Sequence, residues 1–182
     1  MAILRRMDLL RRELRVARWG LPLARAVAER IGGDKAAVRT LVRELFGDDV
    51  EVRKRAADVA RRMTERDGAL LVPYADELTG LLETLPVEES RTRWHLGLVV
   101  PRIACTRAQR LRVARTMSLL AKDESNVVRC SAVEGMGLLA VREASLRDEA
   151  EEMMERFLRE GTKAMKCRAR LATQRLTRAE RR

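Results

Sequence analysis

Hydrophobic positions recur along this chain at the spacing of an α-helix, three or four residues apart. They are Val52, Ala56, Val59 and Met63 in the stretch 48–63, and Val128, Ala132, Gly135 and Leu139 in the stretch 124–139. Charged residues fill most of the positions between them in the first stretch, and the spacing predicts for each stretch a helix with one buried face. Leucine, alanine, valine and methionine are good or tolerable helix formers, and there are few prolines or glycines to punctuate a sheet. The pattern predicts an all-α chain.

The helical pattern itself repeats. Four stretches, 48–63, 88–103, 124–139 and 161–176, align on Arg53, Arg93, Arg129 and Lys166, at offsets of 40, 36 and 37 residues. Four positions before these aligned residues stand polar residues that suit a helix start, Asp49, Glu89, Ser125 and Thr162. Amphipathic segments at 70–85, 106–121 and 145–160 lie between the stretches. A helix–turn–helix unit of about 37 residues is typical of a repeat protein.

The region 1–47 is less regular. Glycines and prolines divide it into predicted helices at 2–18, 22–31 and 34–46. We expect these helices to cap the repeats at 48–177, with a basic tail at 178–182, so that 1–182 forms one domain. The first helix has Ile3 and Met7 on an apolar side and arginines elsewhere, which a helix lying on a membrane surface would share. The capping interpretation is preferred.

Asp123 and Arg129 stand six residues apart, and small residues follow them. This spacing resembles HEAT repeats, and the chain looks like small bacterial HEAT-repeat proteins. The resemblance implies a right-handed α-α superhelix, a solenoid of about four helical hairpins. In that family the acid and the base help to register one repeat against the next. The corresponding acids in the other copies are Asp48, Glu88 and Glu160, the first two of them one place late.

The positive charge of the chain suggests an anionic partner but does not establish one. The formal net charge is +11, and most of the 38 basic residues are arginine. Basic and acidic segments alternate along the chain. A basic protein can bind phosphates, but an excess of arginine, alanine and leucine also reflects a GC-rich genome. The residues that could contact phosphate are Arg55, Arg62, Arg91, Arg102, Arg168 and Arg175.

No motif for catalysis, metal or cofactor occurs. The single histidine, His95, has no cysteine or aspartate within one helical turn, and the three cysteines are too far apart for zinc spacing. The DNA alkylation-repair glycosylases, which are built from HEAT-like repeats, carry an aspartate one helical turn after a tryptophan. Here Leu98 follows Trp94 at that spacing. We therefore predict no enzyme activity, no cofactor and no metal.

Two functions remain open, a protein-interaction scaffold with a concave helical surface and, as the alternative, a nucleic-acid-binding module. Arginines interrupt the opening segment, so we expect no signal peptide, no membrane partner and a cytoplasmic location.

One patch stands out for partner binding. Trp94, Leu98 and Pro101 occupy the face of their helix opposite the predicted core, and His95 and Arg102 flank them. A rimmed apolar patch of this kind is typical of a contact site. The alternative is that neighbouring helices cover these residues and make Trp94 part of the core.

Overall fold

The computed structural model describes residues 9–181, and within that range the chain is helical and contains no strand. Ile3 and Met7, and the start of the first predicted helix, lie outside the described residues. The α-helices are α1 at 9–14, α2 Leu21–Ile31, α3 Lys35–Leu45, α4 Val50–Arg66, α5 Ala75–Thr84, α6 Ser90–Ile103, α7 Arg107–Leu120, α8 Asn126–Arg142, α9 Arg147–Glu160 and α10 Lys163–Glu180. Short 3₁₀ turns at Ala69–Tyr74, Val87–Glu89 and Ala144–Leu146 lead into α5, α6 and α9. The all-α prediction is confirmed.

Side-chain caps set several of the helix starts. Asp49 accepts hydrogen bonds from two backbone N–H groups at the start of α4, and Thr162 accepts one from Met165 at the start of α10. Both residues were predicted for this role. Ser125 and Glu89 also precede their helices, but neither side chain caps the helix. Helix α10 continues to Glu180 and so enters the segment predicted as a basic tail.

The most extensive helix contacts join α4 to α6, α6 to α8, and α8 to α10. We call these four helices the main row. Helices α3, α5, α7 and α9 each pack beside the main-row helix that follows them, and α2 packs on α4. Each helix of the repeat region thus buries its apolar face against a neighbour close in sequence, as in repeat proteins.

Glycines allow α8 to approach its neighbours closely. A Cβ atom on Gly135 would lie 2.7 Å from Cγ of Pro101 in α6. One on Gly137 would lie 2.9 Å from Cβ of Ala172 in α10. Both glycines are buried. At these two points the close packing of helices in the row requires a residue without a side chain.

Buried ion pairs connect successive helices of the row. Arg53 of α4 pairs with Glu89, which immediately precedes α6, and Arg93 of α6 pairs with Asp123, which lies before α8. In the second copy Glu89 makes the pair, and the acid indicated by the family spacing, Glu88, is exposed. The base of one repeat therefore pairs with the acid that leads into the next.

Candidate binding surface

The structure contradicts the outward placement of three residues in the predicted partner patch. His95, Leu98 and Pro101 are buried, with Leu98 only 6% exposed. Helix α6 packs against α4 on one side and against α8 on the other. Less of its surface is therefore exposed to solvent than the sequence pattern implies. Pro101 packs against the bare backbone of Gly135. The prediction of exposure was wrong for these three residues.

Trp94 and Arg102, the other members of that patch, remain half-buried. The guanidinium carbons of Arg61 and Arg91 lie 5.7 and 5.5 Å from the centroid of the Trp94 ring. These distances are within the range of cation–π attraction. Trp94 is thus neither an isolated exposed side chain nor ordinary core, because two arginines contact its partly accessible ring. We call the side of the main row that carries Trp94 and Arg102 its edge.

Arg55, the first of the predicted phosphate contacts, is held inside the molecule. Its guanidinium donates to Glu51 at 3.0 Å and to the carbonyls of Leu14 and Val16 at 2.9 and 2.7 Å. It also lies 5.7 Å from the centroid of the Trp19 ring. With these bonds made, Arg55 joins the segment after α1 to α4.

Arg102 bridges three helices. It donates to the Arg61 carbonyl at 3.4 Å and to the Thr64 hydroxyl at 3.2 Å, and it pairs with Glu134 of α8 at 3.5 Å. Burial lowers the pKa of Arg102 below its ordinary value, and the charge of Glu134 opposes this shift. Arg168 of α10 reaches the other oxygen of Glu134 at 3.1 Å. These charges compensate one another across the edge of the row.

The remaining three predicted arginines differ in their surroundings. Arg62 pairs with Asp58 at 3.0 Å. Arg91 and Arg175 make no ion pair or hydrogen bond with any side chain that the structure describes, although Arg91 contacts the Trp94 ring. Only these two of the six are therefore free to meet an anion without first breaking an internal contact.

A cavity of about 160 Å³ opens between α4, α6 and the segment that precedes α2. We call it the α4/α6 cavity. It is lined by Trp19, Lys54, Arg55, Asp58, Arg91 and His95. Sequence reasoning missed it, because Trp19 and Lys54 carry no periodic signal and their meeting depends on how the chain before α2 folds over α4.

His95 is one of two buried titratable groups in the lining of this cavity, the other being Asp58. Burial lowers the pKa of His95 from 6.5 to about 4, and the nearby charges of Arg61, Arg62 and Arg91 add to the lowering, while Asp58 opposes it. The imidazole is therefore neutral at pH 7. Its Nδ1 atom is inaccessible to solvent and has no hydrogen-bond partner. A buried polar atom without a partner is destabilising.

Other chemistry is sparse in the described part of the chain. No group of three or more His, Cys, Asp or Glu side chains there could hold a metal ion. Cys105 and Cys167 are exposed, and Cys130 is buried, which raises the pKa of its thiol. None of the three forms a disulfide. Among residues 9–181, no helix is both long and apolar enough to cross a bilayer.

Compared with models of protein families and with curated proteins, the chain gives no significant match to either.

Proposed function

We propose that the protein is a cytoplasmic, non-enzymatic scaffold that binds a protein partner along the edge of the main row. The observation that carries this proposal is the position of Trp94. Its ring is partly accessible and lies within cation–π range of both Arg61 and Arg91. Tryptophan and arginine are the residue types that most often dominate the free energy of protein–protein binding. Trp94 and Arg102 remain the proposed partner contacts, since Leu98, Pro101 and His95 are buried.

We further propose that the helices form a HEAT-like solenoid, a right-handed superhelix. Support comes from the main row and from the Arg53–Glu89 and Arg93–Asp123 pairs, which occupy equivalent positions at two of its three junctions. In such an arrangement the equivalent helices of successive repeats lie side by side and offer one extended surface. A partner could then contact several repeats at once.

Site-specific photo-cross-linking in the native cytoplasm tests the scaffold proposal. We expect Trp94→benzoylphenylalanine to give discrete cross-linked protein bands at moderate salt. The matched control is Leu119→benzoylphenylalanine, because Leu119 is 68% exposed on α7, outside the main row. Bands of equal intensity from both positions, or no band from position 94, would contradict the proposed surface.

A nucleic-acid-binding module is the second candidate, favoured by the unpaired Arg91 and Arg175. Phosphate binding of this kind weakens steeply as salt rises. We expect the variant R91Q/R175Q to lower the log–log salt slope of duplex DNA binding by about two. R115Q is the control, because Arg115 is an exposed arginine on α7 with no ion pair in the described chain. An unchanged slope in R91Q/R175Q would argue against this function.

A further inference from the structure

The α4/α6 cavity has a surplus of positive charge. Lys54, Arg55 and Arg91 line it, and Asp58 is the one acid among its lining residues. Asp58 already accepts from Arg61 at 3.2 Å, besides its pair with Arg62 at 3.0 Å. Two cations outside the lining therefore compensate the only negative charge within it.

The three cations of the lining differ in the ion pairs that they already make within the protein. Lys54 and Arg55 share the carboxylate of Glu51, at 2.5 and 3.0 Å, and Glu51 is half exposed to solvent. Arg91 has no carboxylate partner in the described chain. A doubly charged anion in the cavity would give Arg91 a partner and would compete with Glu51 for the ammonium group of Lys54.

A separate observation points to a ligand at the same place. His95 is only 7% exposed and lines the cavity, and neither of its ring nitrogens hydrogen-bonds to a described residue. Buried polar groups in folded proteins nearly always have a partner. Since Nδ1 is closed to solvent, Nε2 is the nitrogen through which His95 can donate to an oxyanion in the cavity.

We propose that the α4/α6 cavity is a binding site for a tetrahedral oxyanion, a phosphate group, which Arg91 and Lys54 hold by charge-assisted hydrogen bonds, to which His95 donates through Nε2, and which the committed guanidinium of Arg55 attracts by its charge. The group is either inorganic phosphate or the phosphoryl end of a small phosphomonoester, which present the same oxygens. The site shares Arg91 with the scaffold proposal but does not depend on it, because the cavity does not include Trp94.

The geometry also couples anion binding to a proton. The charged groups acting on His95 are Asp58, Arg61 and Arg62 from α4 and Arg91 from its own helix, and none of these lies on α8, the other helix of the row packed against α6. A bound dianion would offset the three arginines and favour the imidazolium form. Binding should therefore strengthen as the pH falls, with one proton taken up at His95.

The test is a titration with inorganic phosphate, sulfate and glycerol phosphate, followed by calorimetry and by the NMR signals of the imidazole. His95 is the only histidine in the sequence, so these signals need no assignment. Sulfate keeps its double negative charge throughout, and a pH dependence seen with sulfate therefore belongs to the protein. We expect sulfate to bind more tightly at lower pH and to raise the pKa of His95.

R91Q should weaken phosphate binding about tenfold or more, since one charge-assisted hydrogen bond is lost. R115Q removes an equal charge far from the cavity and should leave the affinity within about twofold. Equal affinities in R91Q and R115Q, or His95 signals that no anion moves, would overturn the proposal. Tighter binding of glycerol phosphate than of phosphate would identify the phosphomonoester as the ligand, and the reverse order would identify the free ion. Circular dichroism confirms that each variant is folded.

Discussion

The junctions on the two sides of α8 are built differently. Towards α6, the buried Arg93–Asp123 pair accompanies the contact of Gly135 with Pro101. Towards α10, Gly137 meets Ala172 and no buried ion pair is present among the described residues. Glu160, which occupies the position equivalent to Asp123, pairs only with its exposed neighbour Arg159 at 3.8 Å.

This difference separates two ways of fixing the register between helices. A buried ion pair defines one register, because any slip leaves a charge without its partner. Small residues define the register by shape, because only certain positions let two backbones approach. Towards α6, helix α8 has both a buried ion pair and close packing of small residues. Towards α10, it relies mainly on close packing.

The largest effect should come from Asp123→Ala. The substitution leaves the Arg93 guanidinium buried without its counter-charge and removes the acceptor of the Ser125 N–H at 2.8 Å. We expect a loss of about 3–5 kcal/mol in the free energy of unfolding, measured by urea titration at pH 7.

Glu160→Ala is the matched control for Asp123→Ala, since Glu160 holds the same repeat position and is exposed. Its cost should stay within about 0.5 kcal/mol. Similar losses in the two variants would show that the two junctions do not differ as described.

The next effect is specific to the junction of α4 with α6. Unfolded His95 takes up a proton below about pH 6.5, whereas the folded protein does so only near pH 4. Unfolding thus binds a proton in this window, and stability falls as the pH drops from 6.5 to 4, by up to about 3 kcal/mol. His95→Gln should lack this component, so the difference between the two stability–pH curves measures it. Parallel curves would contradict the prediction.

A medium effect is expected from Gly137→Val at the junction of α8 with α10. The added side chain would collide with Ala172, and we expect a loss of about 2 kcal/mol, seen as a lower urea midpoint. Gly33→Val is the control, because nothing lies within 4 Å of the Cβ position there. If both variants unfold at the same midpoint, close packing does not set the register at this junction.

The smallest effect should come from Arg168→Ala. Arg168 makes an ion pair across the same junction, to Glu134, but its side chain is 49% exposed. Solvent and salt screen such a pair, so we expect a loss of at most about 1 kcal/mol that disappears at high salt. A larger, salt-independent loss would mean that this junction depends on charge as much as its counterpart does.

Much of the fold follows from periodicity. The helices at 107–120 and 126–142 begin and end within three residues of the predicted stretches, because apolar spacing and capping residues are local signals. The repeat pattern also indicated Asp123 as a register residue, although its partner proved to be Arg93, one repeat earlier, and not Arg129. Local spacing identifies the acid, but the partner depends on how the repeats stack.

The candidate site was less predictable for the same reason. Leu98 and Pro101 face away from their helix's apolar stripe, and a single helix gives no sign that α8 covers that side as well. The α4/α6 cavity joins residues 19, 54 and 95 from three separate segments. The sequence also did not show that Arg55 and Arg102 each bind other residues of the protein. Such contacts depend on the tertiary structure, and a count of charges gives no information about them.

The bridging side chain of Arg102 has a mechanical consequence. Through Thr64 on one side and Glu134 on the other it ties α4, α6 and α8 together, and Glu134 extends the tie to Arg168 on α10. These contacts oppose the sliding of one helix of the row past the next, because a slip would separate Arg102 from Thr64 or from Glu134. Removal of Arg102 would therefore loosen both junctions of α6 at once, whereas removal of Arg168 would act only on the junction of α8 with α10.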